Sequence, residues 1–229
     1  TMTIRDCATV MPPMNSQVCG QCHNEYYFDG ETKATTNPYT GLDQMTPDAI
    51  LAYYDERNFK DWNHADTFAP MIKVQHPEFE TMHGGERSPM AKAGYGCSDC
   101  HMGTTKNADG KEFDNHNWSS PLDNEELIAN DCSQCHADIK AEVAAKQKVA
   151  IDRVNSIGNK LVTLNNKLSE IVANGSMGED QLNKLRDLNR TAQFYWDWVM
   201  VENSDGAHNS ALAQDTLNKS EAAVDQALA

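Results

Sequence analysis

Three short stretches of this chain carry residue types whose spacing does chemistry. They are Cys19-Gly20-Gln21-Cys22-His23, Cys97-Ser98-Asp99-Cys100-His101 and Cys132-Ser133-Gln134-Cys135-His136. Each reads Cys-x-x-Cys-His, the pattern of covalent c-type haem attachment. Two thiols on one tight turn can add to the two vinyl groups of one porphyrin. The histidine that follows then lies under the ring and binds iron as the proximal ligand. From this composition one chance match is expected about 10⁻² times per chain and three on the order of 10⁻⁷ times.

Other uses of Cys-x-x-Cys fit less well. Zinc sites take two such pairs per metal, and zinc gives no reason for a histidine after every second cysteine. Redox dithiols sit at a strand-to-helix turn of a βαβ unit, and no such unit is legible here. Cys7, the seventh cysteine, is left over and has no assigned role.

Composition narrows the partners. The chain has 229 residues and a formal charge of −15 at pH 7, which argues against nucleic acid and anionic membrane surfaces. It permits docking to a basic patch on a redox partner. Apolar residues make up 39% of the chain, so part of the interior is expected to be porphyrin rather than side chain. No run of about 18 apolar residues exists to span a membrane. No signal peptide is legible, and the chain is expected to be a mature protein or a piece of a longer one lacking an N-terminal portion.

The elements that must hold these motifs fall into two regions. Residues 1–136 read as a haem-binding region of loops and short helices, and 137–229 as a C-terminal long-helix region. Thr1 to Val18, with Pro12-Pro13, reads as a connector. Thr46-Pro47-Asp48 is a helix start, with Thr as cap, Pro in the first turn and Asp at the positive end of the dipole. Pro77 pushes His76 out of helical geometry, a short helix follows, and Gly84-Gly85 ends it. Residues 84–96 and 102–123 read as loops.

Ala137 to about Asn174 reads as one long helix. Ala150, Val154, Ile157, Leu161, Leu164, Leu168 and Ile171 step by 4 and 3, a heptad seam that calls for a partner helix. That partner is either the next helix of the same chain or a second copy. Gly175 stops the helix. Two more helices follow, to about Glu202 and from about Asn209 to Leu228.

With these residues in view, the chain resembles the pentahaem, ammonia-forming cytochrome c nitrite reductases. The likeness lies in Glu25-Tyr26-Tyr27-Phe28-Asp29-Gly30 after the first motif, in Asp61-Trp62, and in Pro70-Met71. It continues through Lys73-Val74-Gln75-His76-Pro77-Glu78-Phe79-Glu80, the second motif with Met102, Asn107-Ala108-Asp109-Gly110-Lys111, and His116. The resemblance implies a mainly α multihaem cytochrome c, with a haem-packed loop and short-helix region followed by a long-helix bundle. It implies three haems c on this chain and five in the whole enzyme. The catalytic haem, usually on Cys-x-x-Cys-Lys, and the active-site Arg would lie in the part not present in this sequence.

The same resemblance assigns residues. Tyr26 and His76 look like the distal-pocket pair: His hydrogen-bonding nitrite and relaying protons, Tyr donating a hydrogen bond. Glu25, Tyr26, Lys73 and Gln75 resemble a calcium site of carboxylate, amide and backbone oxygens. Bis-His ligation closes an iron to substrate and suits electron transfer. By resemblance, His208 caps the haem at Cys97/Cys100 and His83 the haem at Cys132/Cys135. His116 caps a haem outside this sequence. His64 is expected at the surface or a pocket edge.

The activity implied is six-electron reduction of nitrite to ammonium. The competing reading is an electron-transfer module with no substrate chemistry of its own, because no open-coordination haem is present in this sequence. A hydroxylamine- or tetrathionate-acting multihaem enzyme is disfavoured by the Glu-Tyr and Gln-His-Pro-Glu pairing. The resemblance also implies a periplasmic homodimer. Its donor would be a membrane-anchored multihaem quinol dehydrogenase or a soluble cytochrome.

Overall fold

The computed structural model describes residues 14–115 and 119–229. Cys7 and His116 therefore lie outside the described residues. The architecture is mainly α, short helices and loops first and long helices last. The short helices are α1 (Met14–Cys19), α2 (Pro47–Glu56), α3 (Glu78–His83), α4 (Pro89–Lys92), α5 (Cys97–His101) and α6 (Glu125–Asn130). The long ones are α7 (Ile139–Asn174), α8 (Glu179–Val201) and α9 (Ser210–Leu228). Three two-stranded antiparallel ribbons punctuate the first part: β1 (Tyr27–Phe28) with β2 (Thr35–Thr36), β3 (Trp62–Asn63) with β4 (Pro70–Met71), and β5 (Thr104–Lys106) with β6 (Glu112–Asp114).

Local chemistry sets these boundaries. Thr46 caps α2 by accepting the Ala49 N–H at 3.2 Å, with Pro47 at the first helical position. Asp138 caps α7, and Gly175 ends it in the left-handed conformation at φ 59°, where a Cβ would be strained. Three segments depart from the sequence expectation. Met14–Cys19 is helical rather than connector, Pro89–Lys92 forms a turn of helix capped by Ser88, and 104–114 form a hairpin. Ser88-Pro89 is itself a cap-plus-proline start, and Gly110 at φ 76° supplies the hairpin's reversal.

The heptad seam is satisfied within the chain. Ala150, Ile157, Leu161, Leu164 and Leu168 are buried against α8 and α9, alongside Leu182, Phe194, Trp198, Leu217 and Val224. The same apolar cluster takes in Ile50, Leu51, Tyr54, Ile72 and Val74 from the first region. Polar ties reinforce the bundle. Trp196 donates to the Val154 carbonyl at 2.8 Å, and Lys160 pairs with Glu221 and Asp225 at 2.8 Å each. Across the two regions, Arg190 reaches Asp55 at 2.9 Å and Lys73 reaches Asp197 at 3.1 Å. The α2 helix and the segment after β4 thus rest on the helical platform.

Candidate haem and cation sites

The three Cys-x-x-Cys-His turns lie close together. Asn15 and Ser16 of α1 reach α5 directly: Ser16 Oγ accepts the Cys97 N–H at 3.0 Å and Asn15 Nδ2 donates to Ser98 Oγ at 2.5 Å. Cys97 interacts with Cys19, and Cys100 with Cys132. So the second motif neighbours both others. None of these six cysteines is paired in a disulfide. Burial, then the Cys132, Asp99, Cys97 and Asp131 charges, push the Cys100 thiol up to about 11.

The histidines fall into distinct surroundings. The rings of His101 and His208 meet edge-on, with centroids 6.1 Å apart and planes at 68°. An imidazole nitrogen sits about 2.0–2.1 Å from its metal, so two imidazoles on opposite sides of one metal have centroids about 6 Å apart. The observed spacing would admit one iron between them, as would the 5.9 Å spacing of His23 and His76. His83 is 1% exposed, and its Nε2 makes no hydrogen bond. Burial, then the Arg87 and His208 charges, lower its pKa to about 4. A buried neutral imidazole with an unsatisfied nitrogen has what a metal ligand needs. His64 instead accepts the N–H groups of Asp66 and Thr67 through Nδ1 at 3.3 and 3.4 Å, a loop anchor.

His23, His76 and Glu78 converge. Each offers a ligand atom within 4.8 Å of the others, the one such group of His, Cys, Asp or Glu found among the described residues. His23 Nδ1 lies 3.5 Å from Glu78 Oε2, and His76 Nδ1 4.0 Å from Oε1. Glu78 is buried, and Asn203 donates to its Oε1 from both backbone and side chain. His76 is half exposed, its ring 5.9 Å from that of His23.

Beside this group lies a second cluster, of oxygen. Glu25 is fully buried. Its Oε1 accepts from Tyr54 Oη at 2.9 Å and its Oε2 from the Gln75 N–H at 2.7 Å. Glu80, also fully buried, accepts the Glu25 N–H at 2.9 Å and Tyr39 Oη at 2.5 Å through Oε1, while Oε2 is unsatisfied. Burial raises Glu25 to about 8 and Glu80 to about 7. Asp61 adds a third carboxylate, its Oδ2 accepting the Lys73 N–H at 2.8 Å. The Lys73 ammonium is spent elsewhere, on Asp197 and the Val74 carbonyl. Asp61 is exposed and feels the Arg190 and Lys73 charges, whereas Glu25 and Glu80 are dry carboxylates with no ammonium or guanidinium among their partners, which suits a hard divalent cation.

Of the residues singled out from sequence, Glu25, Tyr26, Lys73, Gln75 and His76 lie on two segments that Glu25 ties together. Tyr26 itself packs edge-on to Phe28, 5.7 Å between centroids. Glu80, Tyr54, Asp197, Glu202 and Asn203 were given no role from sequence. Their partners lie 29 to 125 positions away, or, for Glu202, across a turn whose form the sequence does not spell out. A run such as Glu78-Phe79-Glu80, apolar between acids, is the available hint.

Comparisons with known proteins bear on these sites. The sequence profile of the cytochrome c552 family matches residues 6–229. The cytochrome c nitrite reductase subunit NrfA of Nitratidesulfovibrio vulgaris is 37% identical over 231 residues, covering 91% of this chain and 43% of that protein. The solved cytochrome c nitrite reductase of Desulfovibrio desulfuricans is described as a catalytic subunit with two calcium sites. It superposes with a TM-score of 0.80 at 32% identity, over 100% of this chain and 49% of its own. The chain thus spans a little under half the length of these relatives.

Proposed function

We propose, starting from the premise that this chain belongs to the cytochrome c552 family, that it is the three-haem, electron-carrying part of an ammonia-forming nitrite reductase. The observation that carries this is the adjacency of the three Cys-x-x-Cys-His turns together with the 6.1 Å spacing of His101 and His208. When bound, haems supply one-electron redox chemistry. Cys19/Cys22, Cys97/Cys100 and Cys132/Cys135 would tether them. His23, His101 and His136 would be the proximal ligands. His208 and His83 would close the second and third irons to substrate, and His116 would serve a haem outside this sequence. The unsatisfied Nε2 of His83 supports its part in that set.

A second reading is favoured by the Glu25 tie: the chain also supplies one wall of a nitrite pocket. Tyr26 is next in sequence to Glu25, and His76 is next to Gln75, whose N–H Glu25 holds. One buried carboxylate therefore fixes both backbones. Half-exposed His76 can offer a proton and hydrogen bonds to a bound oxyanion, and Tyr26 can donate another. Calcium on Glu25, Gln75 and the Tyr26 and Lys73 carbonyls would lock the same two segments. The calcium sites described in the Desulfovibrio desulfuricans enzyme support this.

The expected setting is periplasmic. No helix among the described residues is long and apolar enough to cross a membrane. A homodimer, and a donor that is a membrane-anchored multihaem quinol dehydrogenase or a soluble cytochrome, complete the proposal.

The test is a nitrite assay with reduced methyl viologen on the native protein, beside a haem count. His76→Ala is expected to lower ammonium formation about 10²-fold or more while every haem stays attached. Absence of ammonium from the native protein would leave the electron-transfer role alone. Loss of a haem in the variant would make His76 structural.

A further inference from the structure

His208 lies in the turn between α8 and α9, and that turn is built around one carboxylate. Glu202, the C-cap of α8, is 2% exposed, and its Oε1 lies 2.6 Å from His208 Nδ1. Its Oε2 accepts from Ser204 Oγ at 2.6 Å, the Ser204 N–H at 3.3 Å and the Gly206 N–H at 3.4 Å. Ser204 Oγ in turn accepts the His208 N–H at 2.8 Å, closing the ring of contacts. Asp205 and Gly206 both take positive φ, 53° and 84°, to let the chain fold around it. With Nδ1 held, Nε2 is the nitrogen left to the space shared with His101.

The three proximal histidines are served differently. His136 Nδ1 is 2.7 Å from Glu142, but Glu142 is 43% exposed. His23 Nδ1 is 3.5 Å from Glu78, beyond a good hydrogen bond. The His101 ring bonds to the Ser119 backbone. A carboxylate that accepts the distal N–H of a ligating imidazole raises its basicity, and more so where water cannot compete. A more basic ligand favours the ferric over the ferrous state.

We propose that Glu202 is a positioning residue for the haem at Cys97/Cys100, orienting His208 toward the iron and holding that haem at a lower reduction potential than a neutral acceptor would. This rests on the reading that His208 is its distal ligand. The test is a spectroelectrochemical titration of the haem-loaded native protein, with electron paramagnetic resonance to follow each low-spin haem. Glu202→Gln keeps the size of the side chain and removes its charge. It is expected to move one haem's reduction equilibrium tenfold or more toward the reduced form, about 59 mV for one electron, with the low-spin signal kept. Glu142→Gln, at the water-exposed pair, is expected to shift its haem less. An unchanged potential in Glu202→Gln overturns the proposal, as does a shift no larger than that of Glu142→Gln. Conversion to high spin in Glu202→Gln would overturn the assignment of the potential to the Glu202 charge, because orientation of His208 would then account for the whole effect. His208→Ala separates the premise: it should make one haem high-spin, and if no haem changes, the ligand assignment itself has failed.

Discussion

Glu25 and Glu80 share a dry pocket, and Glu80 adds a repulsive charge to Glu25. Their pKa values of about 8 and about 7 stand above the ordinary 4.5, chiefly because burial disfavours the ionised form. The sign of the linkage follows. Without a cation the folded protein holds protons that the unfolded chain has released above 4.5, so their contribution is full below that value. It is lost as pH rises through 7 to 8. A bound cation needs the ionised carboxylates and reverses the trend. Haem-loaded protein treated with a chelator is therefore expected to melt at lower temperature at about pH 8.5 than at about pH 5.5, and added calcium should raise the midpoint more at the higher pH. Calorimetry at the two pH values checks it; equal calcium gains at both would reject it. Glu25→Gln should weaken calcium binding about tenfold or more, about 1.4 kcal/mol, by titration calorimetry. Sequence could name Glu25 only through the resemblance. Nothing local distinguishes it from a solvated acid, because its burial is set by Tyr54 and Gln75, 29 and 50 positions away. Lys73 is tied by an ion pair to Asp197, 124 positions on, a partner that no local pattern names.

At the scale of elements, the haem turns are held by close packing of small pieces. Gly20, inside the first motif, hydrogen-bonds back to the Ser16 carbonyl at 2.9 Å and so ends α1. A Cβ there would fall on the Phe79 ring, 2.8 Å from its Cε2. Phe79 in turn donates its N–H to the His23 carbonyl at 3.0 Å and sits on α3, which also carries Glu78, Glu80 and His83. Gly20→Ala is expected to cost about 1–3 kcal/mol by overpacking, read as a lower urea midpoint at unchanged slope. Thr46→Ala, which removes the α2 cap, should cost about 1 kcal/mol. The α2 cap and the Gly175 stop were legible because each is a short-range rule with one solution. Helix α1 was not, since six residues carry no period, and what holds it is its contact with α5, 81 to 83 positions away. The β5–β6 hairpin hid for a similar reason: Thr105 and Lys106 are pinned by Glu126 from α6, at 2.5 and 3.1 Å.

At the scale of the molecule, the long seam on α7 allowed two partners, and periodicity alone could not choose between them. The structure fills it from within: Leu164 and Leu168 are 1% and 0% exposed against the chain's own helices. A homodimer would then have to use what the seam leaves outside. Ile151 and Val162, 41% and 59% exposed, are eleven residues apart on α7, three turns that return to one face. The consequences differ for the two faces. Leu164→Ala opens a cavity in the bundle and should cost about 2–5 kcal/mol, without shifting association at temperatures where the fold survives. Val162→Glu should leave the melting profile and haem content intact, since an exposed site tolerates charge. In a dimer seated on this face it would bury that charge unpaired, and sedimentation should show the shift to monomer at micromolar concentration. If Val162→Glu sediments as the parent does while the parent is a dimer, the contact lies on another surface. If Leu164→Ala dissociates a fully folded dimer, the seam is shared between copies after all.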